Sequence, residues 1–420
     1  MHTNHKLVVI VDAYGPASKF CHYLHQKGYL CAHLLSTAMP LPRLKLFDLE
    51  SYDATLVHNG DDNMTIKNIK ELAHKMNAKL CEILPGIEPG VLLADKLSHH
   101  FGLHSNGIEK SLARRDKSAM ADVLAAADIP IPAYCRTTDL QEVLTFAQQQ
   151  QWPLVLKPLN SAGTDGVHIC HSELELSKAF HQVIGTENNM GTVNQAVLVQ
   201  AFLRGAEYMV NTVSHEGKHY VCDIWHCDKV RIEGYAQIYD KNYLIDSDSE
   251  EYEILRKYVF RVLDALDIQF GPAHAEVIIT SQGPMLVEIA ARISGGVDPL
   301  FNQTCLGNDQ IELTLESYLT PQKFLQRIGQ RYQIKKNGLQ VFLSSKKAGT
   351  ITAMDLPKQL SQIPSVINFN LKPKIGDIVV KTFDLSSSLG MVHLAAENKY
   401  SLLEDYQHIQ QLLDKYVEIC

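Results

Sequence analysis

From residue 6 to about 110, apolar runs alternate with amphipathic segments. KLVVIVDA reads as a buried strand, PASKFCHYLHQKG as a helix ending at Gly28, and YLCAHLLS and ATLVHNG as further strands. TIKNIKELAHKMN carries apolar residues at helical spacing. Strands alternating with helices predict a parallel sheet covered by helices. The first turn, DAYGP, lacks the GxGxxG spacing of a dinucleotide site, so the layer is Rossmann-like without that cofactor's signal. In AKLCEILPGIEPGVLLADKLSHHFG, a loop marked by Pro and Gly around Glu88 leads into the next helix. A carboxylate there either suits the helix N-terminus or contacts a substrate.

The pattern then predicts a helix from Ser111, SLARRDKSAMADVLAAADI, ending before Pro130 and Pro132. Its early turns carry Arg114, Arg115, Asp116 and Lys117, a charge run expected on a solvated face. The strand WPLVLKPL ends on Lys157, and a lysine inside an apolar strand implies an anionic partner. The loop NSAGTDGV follows, with Ser161, Gly163, Thr164 and Gly166 small enough for backbone N–H groups and hydroxyls to wrap a phosphate, although most such turns are plain hairpins. It is not a Walker A loop.

Next come a helix and polar loop over residues 172 to 190, then strand, short linker and strand in NQAVLVQAFLRGAEYMVNTVS. The strand end at Gln200, Ala201, Phe202 and Leu203 offers backbone groups and apolar side chains to a base, or else serves as a domain hinge. Glu207 is placed either to accept from a ribose or to sit on the surface. HYVCDIWHCDKV continues the sheet, and EYEILRKYVFRVLDALDI is an amphipathic helix.

Two short strands follow, AEVII and PMLVEI, separated by Ser281, Gln282 and Gly283. A turn centred on Gln282 places Glu276 opposite Glu288, with Cβ atoms within roughly 5 Å. Carboxylates that close need a cation or a shared proton, unless both are solvated or a bulge shifts the register. Mg²⁺, a hard cation, fits the first option. Arg292, Ser294, Gly295 and Gly296 follow, the glycines allowing close approach of a ligand to the backbone. The segment DPLFNQTCLGNDQIELTLESYL is again helical. From about residue 330 short strands and helices predict a compact α+β unit closed by LLEDYQHIQQLLDKYV.

Composition narrows the class. With 420 residues and 45% hydrophobic content, two or three domains are expected. A net charge of −8 with interspersed signs gives no footprint for nucleic acid or an anionic membrane. The N-terminus lacks a signal-peptide pattern, and no apolar run is long enough to span a bilayer. Nine cysteines without a CxxC pair suggest reduced thiols and a cytoplasmic setting. Cys222, His226 and Cys227 come nearest to a metal cluster, but strand alternation turns Cys227 away from the other two and favours buried packing.

The segments LPGIEPGVLLADKL, SLARRDKSAMADVL, LVLKPLNSAGTDGV, LVQAFLRGAEY, GPAHAEVI and VEIAARISGG, in this order, resemble the ATP-grasp superfamily over nearly the whole chain, and most closely its bacterial L-amino acid ligases. The resemblance implies an ATP-grasp fold of mixed α/β and α+β class. A Rossmann-like domain would span residues 1–110, a nucleotide-binding and catalytic domain 111–325, and a small α+β domain 326–420. It further implies that Lys117 and Lys157 contact phosphates, that the loop from Ser161 through Gly163 and Thr164 to Gly166 closes over them, and that Gln200, Ala201 and Leu203 hold adenine. Glu207 would bind ribose. Glu276 and Glu288 would hold Mg²⁺, with Mn²⁺ able to substitute. Arg292 would face the reacting carboxylate, with His274, Glu88, Gly295 and Gly296 near the substrate. Ala290 departs from the general pattern, which has Asn at that position as a metal ligand. The implied reaction joins two amino acids through an acyl phosphate. Alternatives are an ATP-grasp ligase or carboxylase acting on another metabolite or a carrier, and a non-catalytic ATP-binding regulator. Such ligases often form homodimers.

Overall fold

The computed structural model describes residues 5–37, 51–161, 165–188, 191–231 and 237–420. The first elements are β1 (His5–Val11), α1 (Lys19–Gln26), β2 (Leu30–Leu35), β3 (Ala54–Val57), α2 (Asp62–Lys75), β4 (Ala78–Pro85) and α3 (Val91–His100). Their strands form a parallel sheet in the order β3-β2-β1-β4. The unbroken apolar run of β1 has a simple cause: both faces are buried. Leu7, Val9 and Val11 pack with Ile69, Leu93 and Leu97. Val8 and Ile10 pack with Phe20 and Leu24 of α1, and with Ile311 and Leu315 from far along the chain. The expected first helix begins as a 3-10 turn, Gly15–Ser18.

The helix expected from Ser111 starts six residues later, as α4 (Lys117–Ala126). Asp116 sets its start, because its carboxylate accepts the N–H groups of Ser118 and Ala119 at 2.9 Å each. The charge run is not a solvated face. Arg114 is completely buried, donating to Asp95 and to the carbonyls of Gly107 and Leu266, while Arg115 turns to Glu88. A buried corner that leaves backbone carbonyls without partners calls for donors, and the guanidinium supplies them.

The elements β5 (Tyr134–Thr137), α5 (Leu140–Gln148), β6 (Leu154–Pro158), β7 (His168–Cys170), α6 (Glu173–Val183) and β8 (Val197–Ala201) follow. They build an antiparallel sheet, β5-β8-β6-β7, backed by the two helices.

The main sheet draws on β9 (Gly205–His215), β10 (Lys218–Arg231), β11 (Gln237–Leu244), and, after α7 (Glu250–Ala265), on β12 (Gly271–Thr280) and β13 (Gly283–Ala290). Helices α8 (Pro299–Leu306), α9 (Gln310–Leu319) and α10 (Pro321–Leu325) come next. Gly307, at φ 80°, separates α8 from α9 within a segment that reads as helical throughout. The chain ends with β14 (Asn337–Leu343), β15 (Gly349–Met354), α11 (Leu356–Leu360), β16 (Val366–Leu371), β17 (Ile378–Val379), β18 (Gly390–Ala396), α12 (Lys399–Tyr416) and β19 (Val417–Ile419). Eight strands share one sheet, β13-β12-β9-β10-β11-β14-β18-β16, which continues past residue 326 through the pairing of β11 with β14. Strand β11, with Asp240, Lys241 and Asn242 in its middle, carries no apolar alternation that would announce it.

All nine cysteines are free. Cys222 packs with Val213 and Phe324 and Cys227 with Tyr239 and Phe342, as buried packing residues, whereas His226 is partly exposed, stacks on Tyr243 at 4.5 Å and borders the cleft. Among the described residues, no helix is long and apolar enough to cross a membrane.

Candidate active site

The hairpin of β12 and β13 places Glu276 opposite Glu288, as the symmetry argument expects, but by a different route. Its turn is half a residue off centre, pairing Thr280 with Gly283 and Val277 with Leu286. A bulge at Val287 then restores the register, so that Glu276 meets Glu288. Neither carboxylate is solvated freely, with 27% and 24% of the side chain exposed. Lys117 at the first turn of α4 reaches Glu288 at 3.1 Å and donates to the Ser161 carbonyl at 2.8 Å.

A cavity of about 800 Å³ lies between the small antiparallel sheet and the main sheet. It is lined by Lys117, Lys157 and Ser161, by the strand end Gln200, Ala201 and Leu203, and by Glu207, Glu276 and Glu288. Residues from six separate segments therefore converge, as their order along the chain suggests. Lys157 is buried at the end of β6, its Nζ 3.5 Å from the Val287 carbonyl. Burial and the neighbouring Lys117 lower its pKa to about 8, against the pull of Glu288 and Glu276.

Glu207 is neither a surface carboxylate nor unengaged. Lys229 on β10 approaches it at 2.6 Å, and the Tyr239 hydroxyl donates to it at 3.2 Å. Lys229 also lies 4.3 Å from the Tyr239 ring centre. Although burial opposes its charge, Glu207 and Glu276 raise its pKa, so it stands as a fixed cation in the cleft. Sequence reasoning passed over Lys229. The available signal was a lysine at the end of the run HYVCDIWHCDKV, of the same kind that singled out Lys157.

Beside this cavity, Glu88 is held between two arginines. Arg115 meets it at 2.8 Å and Arg292 at 2.6 Å. His274 sits in β12 with Nε2 3.7 Å from Glu276. Burial raises the pKa of Glu276, but the His274 hydrogen bond and the charges of Lys229, His274 and Arg292 outweigh it and hold the value at about 2.

In the phosphate-loop candidate, Ser161 donates to Asp165 at 2.6 Å. Gly166 has φ +66° and lies where a Cβ would come 2.8 Å from Pro158, so glycine is required there. Gly163 and Thr164 lie outside the described residues. A Cβ on Gly295 would meet nothing within 4 Å, and one on Gly296 only the Ser294 hydroxyl at 3.9 Å, so the space above both is open. Ala290 is buried and offers no ligand atom. Among the described residues no cluster of three or more His, Cys, Asp or Glu could hold a metal. The paired carboxylates of Glu276 and Glu288 nevertheless present oxygen donors only, the set that suits a hard divalent cation.

Residues 150–299 match the family described as the ATP-grasp domain. The chain is 32% identical to dapdiamide A synthase of Enterobacter agglomerans over 97% of its own length and 96% of the relative's. It is 23% identical to an L-arginine-specific L-amino acid ligase of Bacillus subtilis over 79% and 78% of the two lengths. Its fold matches the crystal structure of an L-amino acid ligase from Bacillus licheniformis with a TM-score of 0.78, at 17% identity, over 100% of this chain and 99% of the other.

Proposed function

This chain belongs to the ATP-grasp superfamily, as an ATP-dependent carboxylate–amine ligase, and from that premise we propose that it joins two L-amino acids into a dipeptide, releasing ADP and phosphate. The observation that carries the proposal is the cavity in which Lys117, Lys157 and Lys229 stand around Glu276 and Glu288. The Glu88–Arg292 pair does not line it, but the charge of Lys117 acts on Glu88 and that of Arg292 on Glu276.

In this reading Gln200, Ala201 and Leu203 hold adenine, and Glu207, kept in place by Lys229 and Tyr239, accepts from the ribose. Lys117 and Lys157 meet the phosphates, with the loop from Ser161 to Gly166 over them. Glu276 and Glu288 would hold Mg²⁺, or Mn²⁺ in its place, which when bound offsets the negative charge of the phosphates. A substrate carboxylate oxygen attacks the γ-phosphorus and ADP leaves, giving an acyl phosphate. The amine of the second substrate then attacks the acyl carbon, and phosphate departs. The first step brings two anions together, and the lysines offset that repulsion. Arg292 faces the reacting carboxylate and stabilises the oxyanion of the second step. Glu88 holds the Arg292 guanidinium in orientation, and His274 with Gly295 and Gly296 borders the substrate.

The division at residues 110 and 325, a homodimer and a cytoplasmic setting belong to the same proposal, the last supported by nine free thiols. The test is phosphate release from ATP and Mg²⁺ by the purified protein with pooled L-amino acids, read together with product masses. Release that depends on amino acids and yields dipeptide masses is expected. Release only with another carboxylate or a carrier would replace the substrate assignment, and ATP binding without any release would overturn the ligase reading.

A further inference from the structure

Glu207, Lys229 and Tyr239 come from three adjacent strands, β9, β10 and β11, and all three line the cavity. Glu207 pairs with Cys227, and Lys229, two residues further along β10 and so on the same face, pairs with Tyr239. A bulge beside Asp228 brings about that last pairing, since in an unbroken register Lys229 would oppose Asp240. Lys229 Nζ lies 2.6 Å from Oε1 and 2.8 Å from Oε2 of Glu207, and the Tyr239 hydroxyl donates to Oε1 at 3.2 Å. Tyr239 is buried, and its ring stacks on Phe342 of β14 with centres 5.4 Å apart.

We propose that Lys229 and Tyr239 are positioning residues that leave Glu207 a single open acceptor position, on Oε2, so that the site reads one of the two ribose hydroxyls of the nucleotide and not the other. The argument is a count of acceptors. A carboxylate offers roughly four lone-pair positions, two on each oxygen. Lys229 takes one on each oxygen and Tyr239 takes the second on Oε1, and among the described residues no other donor reaches the group. The remaining position belongs to Oε2. A ribose carries two neighbouring hydroxyls, and one of them fills it. The other meets an Oε1 whose positions are both taken, and gains nothing from Glu207. Tyr239, wedged against Phe342, is held where it keeps Oε1 occupied. The inference rests on the ribose reading of Glu207, whereas the count of acceptors does not.

The experiment is isothermal titration calorimetry of the full chain in Mg²⁺ with ADP, 2′-deoxy-ADP and 3′-deoxy-ADP, which needs no turnover. In the wild type one deoxy nucleotide is expected to bind about tenfold more weakly than ADP, the effect of roughly one lost hydrogen bond, and the other within about twofold of it. Tyr239→Phe keeps a ring beside Phe342 and frees the second position on Oε1. Each hydroxyl then has an acceptor, so in this variant both deoxy nucleotides should bind about tenfold more weakly than ADP. A tyrosine that only supported the fold would shift all three nucleotides together and keep the one-sided pattern, a result that would overturn the proposal. A wild type that loses affinity equally for both deoxy nucleotides would also overturn it, while leaving the ribose reading standing. A wild type that binds all three alike, or none, would overturn the ribose reading and the proposal with it. The wild-type series decides the count even if the variant does not fold. Absence of dipeptide synthesis would leave these affinities untouched, so the ligase reading fails separately.

Discussion

The Arg292 guanidinium donates to the Glu88 carboxylate at 2.6 Å although the residues stand 204 positions apart in the chain. Glu88 lies in the loop after β4 and Arg292 just beyond β13, so this contact ties the parallel sheet to the end of the β12–β13 hairpin. Arg115 completes the cluster from the segment before α4.

Glu88→Gln should therefore destabilise the protein by about 3 to 5 kcal/mol, since removing one partner leaves buried guanidinium groups uncompensated. Burial raises the pKa of Glu88, but Arg292, Arg115 and Lys117 outweigh it and hold the group at about 2. Its stabilisation is present above the ordinary value of 4.5 and fades as pH falls from there towards about 2. Thermal melts of both proteins across that window should converge at the acid end. A constant difference would refute the pairing.

In its proposed role at the ATP phosphates, Lys157 gives catalysis an alkaline limit. Its pKa of about 8 in the free protein means that the charge available to ATP phosphates is lost as pH rises through that value. The kcat/KM for ATP should fall on an alkaline limb near pH 8, because that ratio reports groups of the free enzyme. Lys157→Arg should remove this limb whatever its effect on the maximal rate, since arginine stays charged. A limb unmoved in the variant would assign it to another group.

Glu288→Gln replaces an anionic oxygen donor with a neutral amide opposite Glu276. Turnover that depends on Mg²⁺ should be abolished, as should wild-type turnover on chelation, while circular dichroism shows the fold intact. Near-normal activity in the variant would refute the metal role of this hairpin.

Arg114 tests the fold apart from the chemistry. Completely buried, it donates to Asp95 and to the carbonyls of Gly107 and Leu266. Arg114→Ala leaves Asp95 and both carbonyls short of donors, and the loss should reach about 3 to 5 kcal/mol. Chemical denaturation measures it, and a change under about 1 kcal/mol, ordinary for an exposed site, would mean that the corner is hydrated.

Local sequence determined a good deal here. The two-faced burial of KLVVIVDA, the turn between AEVII and PMLVEI, and a lysine ending an apolar strand all follow from short-range periodicity and charge cost, which need no distant partner. They sufficed to predict the parallel layer, a hairpin carrying both glutamates and a buried Lys157. What only the tertiary structure decided are features whose cause lies far along the chain. Arg114 and Arg115 read as a solvated face because their partners, the Leu266 carbonyl and Glu88, are remote in sequence. β11 became a strand by pairing with β10 and β14 on its two sides, which overrode a polar middle. The bulge at Val287 preserved a register that the turn alone would have shifted. The hydrogen bonds of Asn211 to Asp223 on β10 and to His274 on β12 depend on the pairing of three strands. Hydrogen bonds across a sheet are fixed by register, and register is a property of the assembled sheet, whereas periodicity is written in each segment alone.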